Sequence, residues 1–235
     1  MTSTARLVLW DIDHTLVSTE GIGRQIYRDA FEQTTGRPMQ RQADPTGRTE
    51  PEIFRETLAI HGIEPSDQLF AKFADALTAG HRAKLPLLQQ RGHPLPGALE
   101  ALQALHETPG IIQSVLTGNI KPVAFIKLAA FGLDPYLDFE IGAYGSDDPV
   151  RANLVDIARH RANQKYRLAF DEATTVLVGD SPSDVITARE GGAAIISVAS
   201  GRSDAADLQS AGAEIVLLDL VDTARLVSAV TGQGR

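Results

Sequence analysis

The sequence predicts an α/β protein: a Rossmann-like, three-layer core with a parallel sheet covered on both faces, and an inserted α-helical cap. Three observations carry that prediction. Beyond residue 97, short apolar runs alternate with helix-like segments, the pattern of parallel strands joined by crossover helices. Between residues 17 and 92 the only period is helical. Three of the apolar runs end in polar clusters, at Asp11, Thr117 and Asp180, and open α/β sheets bind ligands beyond the carboxyl ends of their strands.

Each element follows in order. Residues 5–13 read as a short buried strand, with Leu7-Val8-Leu9-Trp10 at its centre. "GRQIYRDAFEQTTG" puts Ile26, Ala30 and Phe31 on one helical face and stops near Gly36. "EPEIFRETLAIHG" groups Ile53, Phe54, Leu58 and Ala59, with Pro51 near its start and Gly62 at its end. "SDQLFAKFADALTAGHRAKLPLL" continues the helical period, with Ser66 or Asp67 as its cap. The Pro/Gly-rich stretch at 92–97 reads as the return hinge. The expected core is therefore residues 1–16 and 93–235, and the expected cap residues 17–92. The remaining strands are expected at 111–117, 139–144, 174–180, 193–200 and 214–220. Helices are expected near 97–107, 121–131, 150–163, 182–191, 204–211 and 221–230.

Composition narrows the function. The chain has 235 residues and a formal net charge of -8, with no dense Lys/Arg tract, so a nucleic-acid groove or an anionic membrane surface is not expected. It has no cysteine, which excludes disulfides, thiolate metal sites and cysteine nucleophiles. Only four consecutive apolar residues precede Asp11, too few for a signal-peptide core, and no stretch approaches the ~20 apolar residues of a membrane span. The expectation is a cytoplasmic protein, monomer or homodimer, acting on a small molecule.

The polar strand ends suggest which one. Asp11 and Asp13 in "WDIDHT" would repel each other and are costly to desolvate. "VLTGN" supplies Thr117, Gly118 and Asn119, and "LVGDSPSD" supplies Asp180, Ser181 and Asp184. If these three strands are neighbours, the clusters converge. Carboxylates with no His or Cys nearby suit Mg²⁺, which prefers oxygen ligands. The Thr117 hydroxyl, with the backbone N–H groups of Gly118 and Asn119 at a helix start, suits a phosphate. A phosphoryl group clamped by Mg²⁺ is the natural ligand. Local alternatives exist for each cluster. Asp11 and Asp13 could form a turn, Asn119 could be an ordinary N-cap, and Ser181 to Asp184 fits a capping box, which is compatible with metal support.

"DIDHTL", "LTGN" and "GDSPSD" resemble motifs I, II and IV of the haloacid dehalogenase superfamily. The helical insertion directly after the first motif resembles its C1-capped branch, which includes phosphoglycolate phosphatase and β-phosphoglucomutase. The resemblance covers essentially the whole chain. It implies two-step phosphoryl transfer. Asp11 would be the nucleophile and Asp13 the acid and then the base, while Thr117 would hold a phosphoryl oxygen. Mg²⁺ would be held by Asp11, the Asp13 carbonyl and Asp180, with Asp184 supporting from behind. Asp13 also argues for phosphoryl chemistry, since the dehalogenase and phosphonatase branches lack that second acid.

The resemblance also implies a cation opening a helix before the last motif. Arg151 is the candidate and Lys121 the runner-up; the role requires only charge, so Arg suffices. His14 departs from the glycine more common at its position. In the insertion, Arg48 in "PTGRTEPE" is a candidate for an anionic substrate group, and Glu20 is a second substrate candidate. Asp147 and Asp148 read as a solvated loop or helix cap close to Arg151. His61, His81, His93, His106 and His160 read as surface residues. The expected activity is Mg²⁺-dependent hydrolysis of a small, phosphoglycolate-like phosphorylated metabolite through an aspartyl-phosphate. The alternatives are a phosphomutase of β-phosphoglucomutase type and a non-catalytic phospho-ligand-binding protein.

Overall fold

A computed structural model describes residues 5–232 of the chain; the outermost residues of the expected core, 1–4 and 233–235, lie outside the described residues. The chain begins with β1 (Arg6–Trp10) and β2 (Val17–Ser18). Four helices follow: α1 (Ile22–Thr35), α2 (Glu50–Ile60), α3 (Asp67–Ala83) and α4 (Leu85–Arg91). The chain then returns through β3 (His93–Pro94) to α5 (Ala98–Glu107), β4 (Ile111–Thr117), α6 (Lys121–Ala129) and β5 (Ala143–Tyr144). It ends with α7 (Asn153–Tyr166), β6 (Thr175–Gly179), α8 (Pro182–Gly191), β7 (Ala194–Val198), α9 (Ala205–Ser210), β8 (Ile215–Leu217) and α10 (Thr223–Thr231).

Six of the strands form one parallel sheet in the order β5-β4-β1-β6-β7-β8. After Arg6, β1 is apolar because both of its faces are covered. Leu7 and Leu9 pack with Leu154, Val155 and Ala158 of α7, and with Ala188 of α8. Val8 and Trp10 pack on the other side with α5, α6 and α10 residues such as Leu102, Leu128 and Leu226. The buried Trp10 indole donates to Gln113 Oε1 at 3.0 Å, and the Gln113 amide donates to the Leu102 carbonyl at 2.9 Å, so both buried side chains are paired.

The helices between β2 and β3 share an apolar cluster that includes Ile26, Phe31, Phe54, Leu58, Phe73 and Leu77. Phe54 stacks on Phe73 with centroids 4.1 Å apart, and Tyr27 meets Phe73 edge-on at 4.9 Å. Ile120 and Val123, from the start of α6, belong to the same cluster. The helical segment is thereby anchored on the element that follows the Thr117 strand end.

Local features depart from the sequence reading. The outgoing and returning chains pair as a short antiparallel ladder, Val17 with Pro94 and Ser18 with His93, where no strand was expected. Two residues per strand carry no readable alternation. The expected strand at 139–144 shrinks to β5, since only Ala143 and Tyr144 pair with β4. The long third helix breaks at Lys84, with Pro86 in the first turn of α4, where proline is tolerated. Ser66, not Asp67, caps α3, accepting from the Leu69 N–H at 3.2 Å. His81 is not a surface residue: it is 3% exposed. His61 is half-buried, bonded through Nδ1 to the Thr57 carbonyl at 2.7 Å. Ala59 is exposed rather than on the buried face of α2.

Candidate active site

β4 and β6 flank β1, so the three polar strand ends emerge side by side at the carboxyl edge of the sheet. Ile12, between the two acids, is fully buried in the core cluster. With a period of two, that leaves Asp11 and Asp13 directed together into a cavity of about 660 Å³, which they line with Thr117, Gly118, Asn119, Arg151, Asp180 and Asp184. Every core residue expected at the site is therefore present except Lys121, which instead pairs with exposed Glu140 at 2.9 Å.

Arg151 lies against two of the acids. Its Nη2 lies 2.7 Å from Asp11 Oδ1 and 2.6 Å from Asp184 Oδ1, while its Nε is buried without a partner. It precedes α7 by two residues rather than opening it. Asp184 is fully engaged: Oδ2 accepts from the Ser181 N–H and hydroxyl at 3.1 and 2.6 Å, completing the capping box of α8. Thr15, to which no role attached in the sequence, donates to Asp180 Oδ1 at 3.1 Å. Gly201 makes room for this carboxylate, since a Cβ there would overlap Asp180 Oδ2.

Asp11, Asp180 and Asp184 each offer an oxygen within 4.8 Å of the others. Burial, and then the charges of neighbouring carboxylates, push Asp11 and Asp180 well above the usual carboxylate range, although Arg151 pulls Asp11 the other way. One guanidinium does not balance three buried carboxylates. The donor set is all hard oxygen, and the Arg151 Nε awaits an acceptor. These residues fit a hard divalent cation together with an anionic ligand.

The other side of the cavity holds a group that the sequence reading missed. Lys127 of α6, its side chain 7% exposed, places Nζ 2.7 Å from both Asp13 oxygens and 2.8 Å from Asn119 Oδ1. Asn119 Nδ2 donates to Asp13 Oδ2 and to Thr117 Oγ1, both at 2.8 Å. Burial alone would raise the Asp13 carboxyl; Lys127 and Asn119 outweigh it and hold Asp13 below its ordinary value. Asn119 is not the helix cap, which is Ile120, and its N–H is taken by Thr117 Oγ1 at 3.2 Å. The Thr117 hydroxyl keeps its own proton free to donate.

The helical segment closes the cavity. The Glu50 N–H donates to the Gly118 carbonyl at 2.8 Å, Thr49 Oγ1 to the Pro149 carbonyl at 3.1 Å, and Ser183 Oγ to the Gly47 carbonyl at 2.8 Å. A Cβ at Gly118 would run into the Arg48 carbonyl, so glycine permits this docking. The Arg48 and Glu20 side chains line the cavity but are engaged locally. Arg48 is held by Glu52 at 2.9 Å and Glu56 at 2.5 Å, and Glu20 accepts from Ser18 Oγ at 2.7 Å. Asp147 pairs with Arg161 at 2.7 Å and Asp148 accepts from the Val150 N–H; neither lines the cavity.

Glu50 and His81 also line it, and both are buried. Burial, opposed by Lys127, raises the Glu50 carboxyl to about 7. Burial, aided by Lys127, lowers His81 to about 4 and keeps the ring neutral. His14 adopts φ 67°, the left-handed conformation that glycine takes without strain, and its carbonyl accepts from Ser200 Oγ at 2.7 Å.

Residues 8–189 match the family model of haloacid dehalogenase-like hydrolases. The chain belongs to that family. This hydrolase is 28% identical over 224 residues to a protein named probable phosphatase IndB from Dickeya dadantii, covering 90% of this chain and 88% of that one. It is 30% identical over 129 residues to a phosphoglycolate phosphatase from Caulobacter vibrioides, a match that spans about half of either chain, 55% and 52%. Its fold superposes on a hydrolase from Pseudomonas syringae with a TM-score of 0.69 at 20% identity, covering 96% and 99% of the two chains.

Two stability measurements check the geometry. His14→Gly relieves left-handed strain and is expected to stabilise the hydrolase by about 1 kcal/mol, read as a higher urea midpoint at unchanged slope; a lower midpoint would contradict the strain. For Glu50, the folded value of about 7 exceeds the unfolded 4.5, so the folded state holds an extra proton between those pH values and wild-type stability falls as pH rises through them. Glu50→Gln is expected to lose that slope, gaining on wild type by up to about 3 kcal/mol between pH 4.5 and 8. Parallel pH curves for the two proteins would remove the raised Glu50.

Proposed function

We propose that the protein is a Mg²⁺-dependent phosphatase that hydrolyses a small phosphorylated metabolite through an aspartyl-phosphate on Asp11. Residues 1–16 and 93–235 act as the core, and residues 17–92 as a cap closing over it. The observation that carries this reading is the second acid: Asp13 shares a cavity with Asp11, Arg151 and Thr117, and a site that only bound phosphate would have no use for it. The names of the Dickeya and Caulobacter relatives, a probable phosphatase and a phosphoglycolate phosphatase, support the same direction.

The chemistry follows from the side chains. An Asp11 carboxylate oxygen attacks phosphorus, and the bond from phosphorus to the leaving oxygen breaks. Asp13, which must first take up a proton from solvent, passes it to that oxygen, so the alcohol departs neutral. Water then attacks phosphorus, Asp13 takes the water proton, and the acyl-phosphate bond breaks to return Asp11 and release phosphate. Arg151 holds Asp11 and offers Nε to a phosphoryl oxygen, and Thr117 donates to another. Lys127 favours the ionised Asp13 needed for the second step. Asp11, Asp180 and the Asp13 carbonyl would hold Mg²⁺, with Asp184 orienting Arg151 and supporting the site from behind. Bound there, Mg²⁺ would neutralise charge on the phosphoryl oxygens.

Asp11→Asn is expected to abolish phosphate release while leaving the fold intact; normal turnover would overturn the reading. Asp13→Asn is expected to lower kcat by on the order of 10² or more, with EDTA removing turnover of the wild type and Mg²⁺ restoring it. Release of inorganic phosphate from a panel of phosphorylated metabolites, phosphoglycolate included, is the assay. Isomerisation without release would mean a mutase instead.

A further inference from the structure

Three buried residues with polar side chains, from three different helices, line the cavity, and two of them carry a buried polar atom without a partner. His81 of α3 sets its Nδ1 2.9 Å from the Leu77 carbonyl. A carbonyl only accepts, so Nδ1 carries the ring proton and Nε2 presents a lone pair. Nε2 is buried and unpartnered. The Tyr27 hydroxyl of α1 is buried and unpartnered as well, at 4% residue exposure. The Glu50 carboxyl of α2, on a residue 8% exposed, makes no side-chain hydrogen bond among the described residues. All three residues line the same cavity as Asp13 and Lys127. Folded proteins pair the great majority of such groups, and such exceptions around one cavity are an arrangement for a ligand's polar atoms.

We propose that Glu50, His81, Tyr27 and Lys127 form a subsite for the leaving group, and that this subsite takes a small, uncharged, polyhydroxylated alcohol in preference to one that bears a carboxylate. This inference rests on the phosphatase reading and narrows it. The selection is chemical. His81 Nε2 can only accept, so it demands an O–H or N–H. The Glu50 carboxyl and the Tyr27 hydroxyl can each accept or donate, whereas Lys127 can only donate. A polyol hydroxyl donates and accepts, and so satisfies both kinds of partner. A carboxylate on the substrate has no proton for His81. It would also enter a space where the Lys127 ammonium already faces Asp13, and would add a further negative charge beside the Asp13 carboxylate. The apolar walls from Ile53, Leu77 and Val123 suit the carbon faces of a short polyol.

The test uses the full-length protein with Mg²⁺ and reads phosphate release from three esters: a polyol phosphate such as glycerol 3-phosphate or a hexose phosphate, a carboxylate-bearing ester such as phosphoglycolate, and p-nitrophenyl phosphate, which has neither feature. Wild type is expected to favour a polyol ester over the carboxylate ester by tenfold or more in kcat/KM. His81→Leu is expected to lower the ratio of polyol to p-nitrophenyl turnover about tenfold, and His81→Gln, which keeps an acceptor, to recover most of it. Equal or better turnover of phosphoglycolate by the wild type overturns the subsite while leaving the phosphatase reading intact, and needs no variant to fold. An unchanged ratio in His81→Leu also overturns it. Turnover of none of the three esters overturns both readings together.

Discussion

One bridge organises this site: the Arg151 guanidinium, held between Asp11 and Asp184 at 2.7 and 2.6 Å. Asp11 ends the central strand, Asp184 stands in the first turn of α8, and Arg151 lies just ahead of α7. A single buried cation therefore ties three separate βα units to one point. Burying it with one carboxylate alone would still carry a desolvation cost. Here it satisfies two carboxylates and keeps one donor in reserve. The parallel topology makes this possible, because β4, β1 and β6 are neighbours and all end on the same side.

The cavity then divides by charge. Around Asp11 and Asp180 there is a surplus of negative charge, the condition under which a hard cation and its anionic ligand belong. Around Asp13 the balance is struck by Lys127, through an ion pair that leaves Asn119 as the link back to Thr117. The two acids that the sequence sets one residue apart are thus maintained in opposite electrostatic conditions: burial and like charge raise Asp11, whereas a buried ammonium lowers Asp13. Taken alone this is the reverse of what the proposed roles need, since an attacking carboxyl must be ionised and an acid protonated; a cation held beside Asp11 and Asp180 would draw Asp11 back down.

Much of this was legible in the sequence because its signals are local. An apolar run ending in acids marks a strand end, and three such ends in alternating βα units imply convergence. Arg151 was legible through its distance from Asp180. Glu50, His81 and Lys127 were not. Helical periodicity assigns a face but does not say which face meets a partner element 60 or 70 residues away, and His81 looks like any histidine on an amphipathic helix. Lys127 did carry a signal: it sits in "VAFIKLAA", an apolar stretch where an isolated ammonium must find a buried partner. His14 shows the opposite case, a departure from glycine visible in sequence whose resolution, a left-handed backbone retained at a cost, is visible only in the fold.

In the proposed mechanism Asp11, and not its neighbour, carries the phosphoryl group. Acyl phosphates are reduced by borohydride, converting an aspartyl-phosphate to homoserine. Enzyme quenched during turnover, reduced and mapped by peptide mass spectrometry, reports the position directly. Homoserine at position 11 alone is expected. Homoserine at position 13 or 180, or none at all while phosphate is being released, would contradict it.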